Sequence, residues 1–449
     1  MIHATDPLSD FIVAACVPLD GLHTEGTLER ADAILAAHPD VARADIFAAA
    51  ILGDADGVGA FLARDGALAT ARGGPHGWDA LTHLCFSRYL RLDPARSEGF
   101  VRAATALLDA GASAGTGWYE RHHTPKPTWE SALYGAAGFA HHAGLTRLLL
   151  ERGADPNDDE VPYHAPETYD NATVRVLADS GRLSADSLAT MLLRKSDWHD
   201  LEGVRLLLAR GADPNRMTRW GYTSLHQALR RDNAIEIVAA LLDAGGDPTR
   251  MAADGWSGVS MAARRGRGEA LAAFERRGIP IRLEGVERLL AACARNDAAA
   301  VGAIAGAEPD RVRGLVAAGG TALAEFAGNA NADGMRRLLD LGVAVDAPYH
   351  AGDAYFDIAP GSTALHVAAW RSHLAPVRLL LERGAAVDAR DGRDRTPLQL
   401  AVRACVDSYW TYRRTPDVVR ALLEAGAPIH GVPVPCGYDE VDRLLRREG

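Results

Sequence analysis

Apolar positions along the chain recur at helical spacing in short stretches that end on glycine. After Arg371, the residues Val377, Leu380 and Leu381 fall three and four apart, as on one face of a helix, and Gly384 follows where the chain has to turn. The same phrase returns as LLDAGA from Leu107, LLLERGADPN from Leu148, LLLARGADPN from Leu206, LLDAGGDP from Leu241, LLLERGAAVD from Leu379 and LLEAGAPI from Leu422. Gly211 to Gly245 is 34 residues and Gly245 to Gly278 is 33, whereas Gly342 to Gly384 and Gly384 to Gly426 are 42 each. The basic period is therefore about 33, lengthened in places by insertions.

A second phrase precedes the first in several units: TSLHQAL from Thr223, TALHVAAW from Thr363, TPLQLAV from Thr396, and the weaker SALYGAA from Ser131 and DALTHLC from Asp79. Its leading Thr, Ser or Asp can accept hydrogen bonds from the first free amides of a helix, and its alanines allow a second helix to come close. Each unit is thus expected to be two short antiparallel helices and a loop. One such pair cannot bury both faces, so successive pairs must stack around a continuous core. The combined pattern, clearest over 221–242 and 361–388, resembles the ankyrin repeat.

That resemblance implies an all-α solenoid of stacked helix-turn-helix units, about eleven or twelve of them, several degenerate and some carrying long insertions. Residues 1–43 read as degenerate N-terminal capping helices, 44–310 as an N-terminal array, 311–430 as a C-terminal array and 431–449 as a C-terminal cap. The weakest joints are 163–183, which reads as half a unit, and the glycine-rich stretch 305–320, where the array is expected to bend.

The family also implies a concave partner-binding face, and this chain departs from the repeat pattern where such a face would lie. Trp78, Tyr222 and Trp256 stand between the turn glycine and the cap, with Trp220 nearby and Trp129 and Glu130 before Ser131. Two insertions match each other, PYHAPETYD from Pro162 and PYHAGDAYFD from Pro348, and two more, 115–128 and 407–416, are rich in aromatic and basic residues. Long loops in compact repeats are disproportionately functional. The expected partner-binding residues are therefore Trp78, Trp118, Tyr119, His122, His123, Trp129, Glu130, Tyr163, His164, Tyr169, Asp170, Trp220, Tyr222, Trp256, Tyr349, His350, Asp353, Tyr355, Trp410 and Arg413, with Arg414 beside the last. Rigid aromatic rings supply contact area at low entropic cost.

Composition narrows the chemistry. Forty-eight basic against 59 acidic residues give a net charge of −11, which opposes a broad nucleic-acid-binding surface. Lys126 and Lys195 are the only lysines, a bias that reads as genomic composition. Cys16, Cys85, Cys293, Cys405 and Cys436 are dispersed and show no C-x-x-C spacing, so neither disulfides nor a structural zinc is expected. No apolar run reaches the roughly 18 residues of a membrane span and the N-terminus lacks signal-peptide character, leaving a cytoplasmic location as the expectation.

No histidine pair has the i, i+4 spacing of a helical metal site, and nucleotide-binding and nucleophile-elbow motifs are absent, so no metal or cofactor is expected. His142, His226, His366 and His373 fall where the resemblance itself implies structural histidines. The favoured function is recognition of a protein or peptide partner through an aromatic-rich concave groove. The alternative is an enzyme or small-molecule binder in which Tyr, His and Asp of the inserted loops form a pocket; that requires two or more loops to converge within hydrogen-bond reach. A scaffold whose loops mediate self-association is a third.

Overall fold

The computed structural model describes residues 6–19, 23–123, 126–318, 320–408 and 410–448. The chain forms two compact units, Met1–Arg216 and Met217–Gly449. The position 310/311, at which sequence separated two arrays, lies inside the second unit and within the helix Pro309–Ala318.

Helix pairs build each unit, and six pairs can be traced in each among the described residues. The caps act as their side chains dictate. The Thr223 hydroxyl accepts the His226 amide at 3.3 Å, and the His226 imidazole accepts the Thr223 amide at 3.2 Å through Nδ1. His226 Nε2 then reaches the Arg250 carbonyl at 3.0 Å in the next hairpin, so this histidine braces two repeats. His366 does the same between Thr363 and Arg395. The turn glycine Gly384 sits at φ 80°, a backbone conformation that a Cβ disfavours.

In the second unit the first helices of successive pairs pack side by side, Ser224–Arg230 on Gly258–Arg264 and Ala364–Trp370 on Pro397–Asp407. From Leu289 onward a continuous core includes Leu289, Leu323, Phe326, Leu338, Leu365, Leu380, Leu398 and Leu422. One pair breaks the pattern. Gly285–Ala294 contacts Gly258–Arg264 on one side but the second helix Ala332–Asp340 on the other, and the chain then adds the extra helix Pro309–Ala318 before Gly320–Gly328. Phe326 lies against Gly266, leaving no room for a Cβ there, and Asn331 donates to the Gly266 and Ala294 carbonyls at 2.6 and 2.8 Å. Where sequence expected a bend at 305–320, the chain inserts a helix.

The first unit contains two short hairpins among its helices, Arg72–Gly73 with Trp78–Asp79 and Gly117–Glu120 with Thr128–Ser131. The second replaces the loop expected over 115–128. Directly after it, the first helix of the pair widens to π geometry at Gly135–Phe139, and Gly135 packs so tightly on Cys85 that the Cys85 carbonyl would lie 2.7 Å from an added Cβ. The described cysteines are unpaired thiols.

Candidate functional site

The hairpin of the first unit sorts its side chains by strand alternation. Trp118 is paired with Glu130 and Tyr119 with Trp129, so Trp118, Glu120 and Glu130 share one face and Tyr119 and Trp129 the other. The first face is buried and the second lies outward, with the Tyr119 and Trp129 rings 4.8 Å apart. Trp118 packs on Trp78 at 5.1 Å and on His23 at 5.7 Å. His23 Nδ1 is hydrogen-bonded to the Tyr134 hydroxyl at 2.9 Å, and its Nε2 is 3.8 Å from Glu120.

Against this face stands the second insertion. Ser131 donates to Asp158 at 2.6 Å, joining the hairpin to the segment that leads into the helix Glu160–His164. His164 donates to Glu160 at 3.1 Å through Nε2 and to Glu167 at 2.8 Å through Nδ1, while Arg194 holds Glu167 and Asp197 and lies 4.1 Å over the Tyr163 ring. The segments flanking two of the four insertions are therefore joined by a hydrogen bond, and the Tyr134 and His164 rings lie 5.3 Å apart beside it.

The electrostatics follow from burial and from crowded carboxylates. Glu130 is 1% exposed, and burial, with Glu160 and Glu120 beside it, pushes its carboxyl up to about 8. Burial also pushes Asp158 up to about 6 and His23 down to about 4. At His164 burial opposes the charged ring, but the bonds to Glu160 and Glu167 outweigh it and push the imidazole up to about 9. Glu130 is thus a neutral acid and His164 a cation at neutral pH. Glu130 Oε2, His23 Nε2 and Trp118 Nε1 are buried without a hydrogen-bond partner.

The remaining candidates of this unit are scattered. His122 is exposed, and His123 is hydrogen-bonded to Thr128 at 2.9 Å. Tyr169 packs on Trp198 at 5.6 Å, and Asp170 accepts the Ala172 amide at 2.9 Å as a helix-start residue. Trp78, Trp118 and Glu130, expected to face a partner, are instead interior, because alternation and the rings around them turn them inward.

In the second unit the remaining two insertions fold onto the face of the first helices. Tyr349, Phe356, Ile358 and Trp410 form a small core with Val367, Trp370 and Leu400. Tyr349 and Trp410 are therefore buried, a correction to their expected exposure. The two PYHA tetrapeptides also differ, one ending a helix at His164, the other lying outside any helix, where Tyr349 bridges Ser362 and is buried while Pro348, His350 and Ala351 are exposed. Asp353 lies 3.8 Å from Arg265, and Tyr355 is exposed. Arg413 binds buried Asp232, which also holds Arg371 and His373, and Arg414 donates to the Ser408 carbonyl at 2.5 Å.

What stays open on this face is the part nearer the start of the unit. Trp220 is exposed under Arg219 at 4.7 Å, Tyr222 donates to Asp254 at 3.2 Å across the neighbouring hairpin, and Arg264 lies 3.2 Å from the centre of the Trp256 ring. Trp256 lines a cavity of about 490 Å³ that the displaced helices leave open, with Met261, Val286, Leu290, Leu315 and Ala322 as apolar walls and Arg264, Arg265, Arg311, Asp254, Asp310 and Glu325 as polar lining. Sequence reasoning missed the walls at Leu290 and Leu315, and in the first unit His23, Tyr134, Glu160 and Glu167. The spacing of Glu160 and Glu167 around His164 was a usable signal; His23 and Tyr134 carried none. Among the described residues, no cluster of His, Cys, Asp and Glu has the geometry to hold a metal, and no helix is long and apolar enough to cross a membrane.

Paired helices, Thr-His caps and turn glycines at a period near 33 define a helical repeat protein. Models of ankyrin repeats match it over 192–242 (many copies) and 289–391 (3 copies), so the chain carries ankyrin repeats. Among solved structures it is similar to the human ASB11 ankyrin repeat domain, at 22% identity, 67% of this chain, 99% of that one and a TM-score of 0.24. No curated protein matches it.

Proposed function

We propose that the protein recognises a protein or peptide partner through the open part of the first-helix face in its second unit, around Trp256. The observation that carries this reading is the cavity of about 490 Å³, apolar in its walls and polar at its rim, on the face that the chain's own loops leave uncovered. A pocket of this kind accepts one or two apolar side chains of a partner, and an aromatic residue at its edge supplies the central anchor. Of the residues expected from sequence, Trp256 lines it, Tyr222 reaches its wall through Asp254, and Trp220 and Tyr355 are exposed in the same unit. The test is affinity enrichment from native extract with wild type and Trp256→Ala, after circular dichroism shows equal helix content. A protein captured by wild type and lost from the variant supports the reading; identical capture by both refutes it.

One observation favours a second reading, a small polar ligand in the first unit. Although Glu120 lies 3.8 Å from His23 Nε2, Glu130 Oε2, His23 Nε2 and Trp118 Nε1 are buried together without a hydrogen-bond partner, which is how a site looks when its hydrogen bonds are made by a ligand. Native mass spectrometry of the purified chain decides it: an added mass released by denaturation supports the reading, and the bare chain mass counts against it.

A further inference from the structure

The first helices of the second unit end in register. Seven and eight residues after the capping Thr or Ser stand Arg230 and Arg231, Arg264 and Arg265, and Trp370 and Arg371, followed by Arg403 in the next repeat. Stacking brings these ends together, and the inserted loop delivers Phe356 into their midst. The guanidinium carbons of Arg230, Arg231, Arg265 and Arg371 lie 5.5, 4.5, 5.9 and 5.4 Å from the centre of that one ring.

Three carboxylates answer this cluster. Asp232 holds Arg371 and Arg413, and Glu325 and Asp353 lie 2.7 and 3.8 Å from Arg265. Three guanidiniums, Arg265, Arg371 and Arg413, therefore meet the three carboxylates, and Arg230 and Arg231 lie against the same ring. Among the described residues no carboxylate lies within ion-pair distance of Arg230: it donates to Gln227 at 3.2 Å and stacks on Tyr222 at 4.3 Å. A half-buried guanidinium without a counter-charge is a standing demand for an anion. Arg265 and Glu325 line both the small cavity of about 20 Å³ beside Phe356 and the large one at Trp256, so the basic cluster and the apolar cavity are contiguous.

Resting on the reading of this face as a partner site, we propose that the partner segment is an acidic stretch of polypeptide. One Asp or Glu side chain pairs with Arg230, and an apolar side chain enters the cavity against Trp256 and Leu315. Neighbouring helices are about 9 Å apart and an extended chain advances about 3.4 Å per residue, so the two anchors stand roughly three residues apart. A nucleic acid fits poorly, because Asp254, Asp310 and Glu325 at the cavity rim would repel successive phosphates.

The probes are two fluorescein-labelled pools of 12-residue peptides. One has Asp or Glu three residues before Leu or Phe; the other is identical but for Asn or Gln in place of the acid. Anisotropy is read on the full chain, on Trp256→Ala and on Arg230→Glu and Arg230→Lys, each checked for unchanged helix content. The acidic pool is expected to bind at least about tenfold more tightly than the amide pool. Arg230→Glu should abolish that preference and Arg230→Lys should keep it; if Arg230→Glu does not fold, Arg230→Gln takes its place. Equal binding of both pools, lost in Trp256→Ala, overturns the acidic assignment and leaves partner recognition standing. Binding of neither pool overturns the acidic assignment, and unaltered capture by Trp256→Ala from native extract is the separate result that overturns recognition.

Discussion

Replacing Glu130 by Gln tests whether the inward face of the first-unit hairpin is as dry and acidic as the structure makes it. The carboxyl is 1% exposed and is pushed from 4.5 to about 8 by burial, then by Glu160, Glu120 and Asp158, with His164 acting against them. A raised carboxyl binds more protons in the folded state than in the unfolded state between those values. Its contribution to stability is thus complete below pH 4.5 and is lost as pH rises towards 8. At about 1.4 kcal/mol per pH unit, flattening near 8, wild type loses about 2.5 kcal/mol between pH 6 and 8.5 through this group alone.

His164, pushed up to about 9, loses stability in the same direction, but it is present in both proteins and largely cancels in their difference. Repeat arrays need not unfold in one step, so the assay should be local. Hydrogen exchange of peptides covering 115–151, corrected for the intrinsic rate at each pH, reports the opening free energy of this region. The wild-type value should fall by about 2.5 kcal/mol more than that of Glu130→Gln over the interval. Parallel profiles, within about 0.5 kcal/mol, would refute the reasoning, because they would mean that the carboxyl ionises near its ordinary value.

Three further outcomes follow from the packing. Asp232→Asn leaves Arg371 and Arg413 without their shared carboxylate and should cost about 3–5 kcal/mol, seen as a lowered midpoint in urea; a change below about 1 kcal/mol would show that the cluster is not held by this charge. Trp118→Ala should destabilise the first unit by about 3–5 kcal/mol, whereas Tyr119→Ala, one residue on and 61% exposed, should stay within about 0.5 kcal/mol; equal losses in thermal melts would contradict the assignment of inner and outer faces. Gly268→Ala places a Cβ 2.2 Å from the Ala294 carbonyl and should cost about 1–3 kcal/mol, and an unchanged melting temperature would mean that the two segments separate freely.

The helix pairs, their caps and their turns were legible in the sequence because the forces that make them act within one or two turns of chain. Thr223 and His226 cap a helix wherever it lies, and Gly384 takes its left-handed conformation from its own lack of a Cβ. Arg230, Arg231 and Arg265, from the arginine doublets at 230 and 264, took on a common role only when stacking gathered them around Phe356. Which aromatic side chains face outward was not legible. Trp118 and Tyr119 are neighbours of one kind in sequence, and only the strand pairing with Glu130 and Trp129 sends one inward and the other out. The tetrapeptide PYHA carries no decisive propensity, so its surroundings made it helical before His164 and left it outside any helix at Tyr349. Tertiary structure alone determined that the loops would cover part of the first-helix face with Tyr349, Phe356 and Trp410, and that the extra helix at 309–318 would leave the cavity beside Trp256 open. Both depend on contacts between residues tens of positions apart, whose energies no local pattern contains.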